Sequence, residues 1–265
     1  MTKKGVLMVS FGTTVASGRL AIDTLFKVIE AECPDREIRI AYTSNIIRRK
    51  LNKSEGGTID SPQIALAKMR DQGFSHVTVV STHIIPGKEY GDLQELIRGT
   101  DAVTGKYGFS RLVLLEPFLY RQDDFERFVR GLQESYGESG DAHRAVVLMG
   151  HGSYHFANAA YSQLQIMLDR EDDRFVIGTV EGMPTLDDVR RRLRSMKVTR
   201  VTLAPCMVVA GDHAMNDMAG FDDDSWATIL RRDGYDVNPV LTGLGELPWM
   251  GEMLAQKFRF VDDEV

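Results

Sequence analysis

The sequence has little cysteine, no long apolar run and no surplus of positive charge, and each shortage removes a class of protein. Its two cysteines, Cys33 and Cys206, are too few for a disulfide scaffold and stand in no CxxC pair. No apolar stretch approaches the roughly 18 residues of a membrane span. The run at 6–9, after Lys3 and Lys4, is too short for a signal-peptide core, lacks a cleavage site, and gives way at once to a Gly-Thr-Thr turn. Lys and Arg number 32 against 38 Asp and Glu, a net charge of −6. That balance argues against nucleic acid as the main partner, because binding a polyanion needs a basic face. The expectation is a reduced, cytoplasmic protein with neither a membrane nor a nucleic-acid partner.

What is present is an alternation of short apolar runs with longer stretches of helical period. The length of 265 residues allows two domains or one large one. The spacing predicts strands at 6–9, 37–42, 77–81 and 112–115, then at 145–149, 175–180, 201–204 and 237–241. Helical periodicity fills stretches between them, among them 20–31, 63–72, 125–133 and 186–196. Near-continuous apolar strands alternating with helices imply an α/β fold with parallel sheets covered on both faces. The polar, glycine-containing stretch at 136–143 is the natural boundary, giving halves of 1–138 and 139–265.

The halves resemble one another. Val6 to Thr13 matches Val146 to Ser153, each an apolar strand ending in x-Gly-Thr or x-Gly-Ser. His76 to Val80 matches Arg200 to Ala204, and Ile84 to Glu89 matches Val208 to His213. Three matches in one order suggest a duplication, hence two similar α/β domains, each a parallel sheet flanked by helices, with a cleft between them.

His151, Glu181 and His213 each fall at or just past a strand end, where the loops of a parallel sheet converge on ligands. Two imidazoles and a carboxylate suit a divalent transition metal and leave positions open for a substrate. Taken singly, each has an ordinary alternative. His151 could be a turn residue and Glu181 a surface residue, while His213 could be an exposed first-turn residue behind an Asp212 cap. No HExxH pair sharpens the signal, although Asp217 stands four residues after His213 and could fix its tautomer. In the first half the repeat puts Phe11 in place of His151 and Glu89 in place of His213. An aromatic face opposite a metal site suits a flat aromatic ligand.

Several longer stretches resemble a known family. They are Val9-Ser10-Phe11-Gly12-Thr13; Thr43-Ser44 with Ile47 and Arg49-Lys50-Leu51; and His83-Ile84-Ile85 with Gly87 and Glu89-Tyr90. In the second half they are Met149-Gly150-His151-Gly152; Val180-Glu181; Val209 to Ala214 with Asn216-Asp217-Met218; Asp224-Ser225-Trp226; and Gly243 to Glu246. The chain is similar over nearly its whole length to the sirohydrochlorin cobalt chelatases of anaerobic cobalamin biosynthesis, in the class II chelatase group. The resemblance implies a lyase that inserts Co²⁺ into sirohydrochlorin to form cobalt-sirohydrochlorin, with no cofactor beyond that substrate metal.

It further implies metal ligands at His151, Glu181 and His213. Catalytic proton handling would fall to His151, His213 and Glu89, and tetrapyrrole binding to Phe11, Thr13, Ser44, Arg49, Lys50 and His83. The cationic Arg49 and Lys50 would meet the carboxylates of the ring, although a solvated helix face reads equally well there. Insertion of Fe²⁺ or Ni²⁺ into the same or a related ring, or a metal or tetrapyrrole carrier without turnover, stays open, as does assembly into a homo-oligomer.

Overall fold

Runs of Val, Ile, Leu and Met without polar interruption belong in strands buried on both faces. In the computed structural model, which describes residues 2–54, 58–137 and 141–262, each expected run falls on a strand. The first four are β1 (Lys3–Ser10), β2 (Glu37–Tyr42), β3 (Phe74–Ser81) and β4 (Arg111–Leu114). The second four are β5 (Arg144–Gly152), β6 (Phe175–Glu181), β7 (Arg200–Cys206) and β8 (Asp236–Pro239). The last strand stops two residues short of expectation, although the Val240 N–H just beyond it still donates to the Leu203 carbonyl at 2.8 Å. Every pairing is parallel, and the two sheets repeat one order, β2-β1-β3-β4 and β6-β5-β7-β8. The duplicated sequence has a duplicated topology.

The first sheet is followed through the chain by α1 (Ala16–Glu32), α2 (Asn45–Ser54), α3 (Pro62–Asp71) and α4 (Lys88–Asp101). α3 starts where Ser61 Oγ accepts the Ile64 N–H at 3.3 Å and Pro62 occupies the first turn, a position that needs no amide proton. Its Ala65, Leu66 and Met69 pack with Leu93 and Ile97 of α4 against Leu7, Val9, Val77 and Val79. Burying a side chain of that size contributes about 1.5–3 kcal/mol.

The second sheet carries α5 (Gln122–Tyr136), α6 (Ala159–Glu171), α7 (Leu186–Ser195) and α8 (Trp226–Arg232). Thr185 and Asp188 cap α7 reciprocally, at 3.3 and 2.8 Å. Alternation sorts β5. Ala145, Val147 and Met149 share a core with Val189, Leu193 and Trp226, whereas a side chain at Gly150 would meet Tyr161 of α6.

The expected boundary at 138/139 lies outside the described residues. The chain divides into compact units of Met1–Phe118 with Gly251–Val265, and Leu119–Met250. α5, expected in the first half, belongs to the second unit. Its Phe128 ring lies edge-on to Trp249, with centroids 5.1 Å apart, and Gly131 leaves room for the same indole. From Gly251 the last helix, α9 (Pro248–Asp262), belongs to the first unit. There Gly251 lies against Val28, and Arg111 Nη2 donates to the Val261 carbonyl at 2.7 Å. No helix among the described residues is long and apolar enough to cross a membrane.

Candidate metal centre

The carboxyl edge of the second sheet brings two of the three expected ligands together. His151 is at the end of β5, and His213 opens the π-helical turn Ala214–Met218 that follows β7. Such turns recur at functional sites. The two rings meet edge to face, with centroids 4.7 Å apart and planes at 84°.

Their hydrogen bonds fix which nitrogen is free. His151 Nδ1 is 3.0 Å from the Gly152 carbonyl oxygen, which can only accept, so the ring donates through Nδ1. His213 Nδ1 is 2.5 Å from Asp217 Oδ2, the contact expected from their spacing. In its neutral form each ring therefore keeps a lone pair on Nε2, which has no hydrogen-bond partner among the described residues. A carboxylate behind a ligating imidazole fixes its tautomer and raises its basicity. Asp212 does not act on His213: its carboxylate accepts from the Asn216 side-chain amide at 2.9 Å.

Glu181 pairs in register with Gly152 at the end of β6, so its backbone adjoins that of His151. Its carboxylate makes no hydrogen bond or ion pair among the described residues. Among the described residues no three His, Cys, Asp or Glu side chains are gathered closely enough to hold a metal ion. The tight approach of these strands explains the glycine. Gly152 has φ +80°, and a Cβ there would fall 1.6 Å from the Glu181 carbonyl oxygen.

His155, four residues after His151, has a role that no sequence pattern marks. Its Nδ1 accepts the Ala157 N–H at 3.3 Å, which leaves the proton on Nε2 and makes this ring a turn cap. Large apolar side chains surround the edge in sequence. Tyr154 and Phe156 follow β5, Met183 follows β6, and Met215 and Phe221 follow β7, all exposed. Cys206 and Met207, soft donors on the approach to His213, belong to the core. Cys206 is fully buried, its thiol pushed up to about 12 by burial, and Met207 packs on the core cluster.

The first sheet has the matching edge. Phe11, the counterpart of His151, is half exposed and precedes Gly12, whose φ is +93° as Gly152 is +80°. Continuing the β1–β2 register beyond Ser10 and Tyr42 sets Ser44 in the place of Glu181. Ser44 Oγ accepts the Ile47 N–H at 3.4 Å and Thr13 Oγ1 accepts the Val15 N–H at 3.1 Å, so both hydroxyls also shape the loops they stand in. Arg49 and Lys50 are exposed on α2, and their side chains have no partner among the described residues. Lys88 pairs with Asp92 at 2.5 Å. Glu89 is exposed in the first turn of α4. His83 is held by Ser81, whose Oγ is 2.8 Å from His83 Nδ1. Burial lowers the His83 pKa from 6.5 to about 4.

Known proteins resemble this chain in sequence and in fold. Residues 4–261 match the family model described as cobalt chelatase (CbiK). The chain is 38% identical over 257 residues to the sirohydrochlorin cobaltochelatase of Salmonella typhimurium, covering 96% of this chain and 94% of that one. It is 37% identical over 246 residues to the sirohydrochlorin cobaltochelatase CbiKC of Nitratidesulfovibrio vulgaris, covering 93% and 86%. The fold resembles that of the sirohydrochlorin chelatase SirB from Bacillus subtilis subspecies spizizenii, solved in complex with cobalt. That likeness has a TM-score of 0.67 at 13% identity, over 99% of this chain and 97% of the other. The chain belongs to the cobalt chelatase (CbiK) family.

Proposed function

We propose that this protein inserts Co²⁺ into sirohydrochlorin, forming cobalt-sirohydrochlorin in anaerobic cobalamin biosynthesis, in the cytoplasm and with no cofactor beyond the substrate metal. The observation that carries the reading is the pair of imidazoles, His151 and His213, in contact at a sheet edge with both Nε2 lone pairs free. The exposed Tyr154, Phe156 and Phe221 nearby in the chain support a flat aromatic ligand.

Insertion replaces two pyrrole N–H protons with one divalent metal, so the site must both release a metal and remove protons. His151 and His213 hold the metal through Nε2. Rotation of the unpartnered Glu181 side chain brings a carboxylate as third ligand and offsets the cation's charge. As the metal passes to the ring, the vacated imidazole nitrogens are free to take protons, and Glu89 relays a proton. Phe11, Thr13, Ser44, Arg49, Lys50 and His83 bind the tetrapyrrole, the two cations through its carboxylates.

The test is to mix the protein with sirohydrochlorin and Co²⁺, Fe²⁺ or Ni²⁺ and follow absorbance beside a protein-free control. Acceleration with Co²⁺, largely lost in His151→Ala and His213→Ala, is expected. Greater acceleration with another metal would reassign the substrate, and tight product binding without acceleration would indicate a carrier.

A further inference from the structure

We infer that Thr43 and His83 form a hydrogen-bonding subsite at the carboxyl edge of the first sheet, which receives carboxylate groups of the tetrapyrrole. The inference rests on the substrate reading above and deepens it.

The two residues flank one strand end. Thr43 follows β2 and donates its amide to the Ser10 carbonyl at 2.9 Å, and Thr82 follows β3 and donates to Val9 at 3.0 Å. Both loops are thus pinned to the last residues of β1, which runs between β2 and β3. Two strands on either side of a third are about 10 Å apart, within the span of neighbouring side groups on one macrocycle. Thr43 Oγ1 and His83 Nε2 are both buried and have no hydrogen-bond partner among the described residues. Buried polar atoms are normally satisfied, and an orphan calls for a missing partner.

The tautomer of His83 says what that partner must be. Ser81 Oγ accepts the main-chain N–H of His83 at 3.2 Å and is 2.8 Å from Nδ1. Ser81 is buried and its hydroxyl has no other acceptor among the described residues, so its proton goes to Nδ1 and the ring's own proton is on Nε2. His83 therefore presents an N–H donor, the reverse of His151 and His213. With its proton there, Nε2 offers no lone pair to a metal, and burial keeps the ring uncharged at neutral pH. An imidazole N–H and a hydroxyl together suit acceptor oxygens, and the substrate proposed above carries these as carboxylates around its rim.

The test is a fluorescence titration of metal-free sirohydrochlorin, and of its methyl-esterified form, into the full chain and its variants, with thermal midpoints recorded for each. His83→Ala is expected to bind the acid form about tenfold more weakly, the size of one hydrogen bond to a charged group. The ester should bind both proteins alike. His83→Gln, which restores an N–H donor, should recover most of the loss, and Thr43→Val should weaken binding severalfold. In the insertion assay the loss should fall on KM more than on kcat. Unchanged affinity in His83→Ala would overturn the inference, as would an equal loss for the ester or a loss that follows only a lowered thermal midpoint. A wild-type chain that binds the ring through His83 yet does not speed insertion would sink the proposed reaction and leave the subsite standing.

Discussion

His213 Nδ1 is 2.5 Å from Asp217 Oδ2, four residues on along the π-helical turn. That contact turns the opposite nitrogen, with its lone pair, away from the carboxylate. His151 does the same with a backbone oxygen, 3.0 Å from its Nδ1. Two different acceptors thus prepare two imidazoles in one tautomer, side by side.

Asp217→Ala should lower Co²⁺ affinity about 10–100-fold, the usual cost of losing the group behind a ligating histidine. Asp212→Ala should cost far less, because that carboxylate serves Asn216. Calorimetric titration with Co²⁺ separates the two, and equal losses would mean that general negative charge, not orientation, is what matters.

The tautomers can be read directly. Long-range ¹H–¹⁵N correlation spectra of the metal-free protein at neutral pH should put the ring proton on Nδ1 in His151 and His213. In His83 and His155 it should be on Nε2, since their Nδ1 atoms accept from Ser81 and from the Ala157 amide. The same tautomer in all four would remove the distinction between ligands and donors.

Acid should weaken the fold through His83. Its pKa is lowered from 6.5 to about 4 by burial, so between these values the unfolded chain takes up a proton that the folded chain excludes. The contribution is complete above pH 6.5 and is lost as the pH falls toward 4. Urea denaturation should show His83→Gln losing less stability than wild type across that window, by about 1–3 kcal/mol. Parallel pH profiles would show that the ring is not held neutral.

Two glycines with positive φ should respond differently to alanine. Gly152 (φ +80°) would place a Cβ 1.6 Å from the Glu181 carbonyl oxygen, whereas Gly234 (φ +96°) has nothing within 4 Å. Gly234→Ala should cost about 1–2 kcal/mol of backbone strain. Gly152→Ala adds a clash between β5 and β6 and should cost at least about 3 kcal/mol. Equal denaturation midpoints would show that the strands can part there without penalty.

The strands were legible because burial on both faces leaves an unbroken apolar run, and the internal repeat implied that the two halves share one topology, as both sheets do. The place of α5 in the second unit was not, because its contact with Trp249 joins residues far apart in sequence and leaves no local pattern. At the site, His151 and His213 could be found from their strand-end positions. Thr43 and Ser81 could not, since a single hydroxyl beside a strand end looks like any loop residue until its partners are known. The Ser81-x-His83 spacing was the one available hint. Glu181 adjoins the pair through its backbone, but the reach of its side chain depends on a rotamer that no sequence pattern encodes.

X-ray absorption at the cobalt edge of the Co²⁺-loaded protein reads the proposed ligands themselves. Metal held by both histidines gives outer-shell scattering from two imidazole rings, falling to one in His151→Ala and to one in His213→Ala. A two-ring signal that survives both substitutions would contradict that pair of ligands.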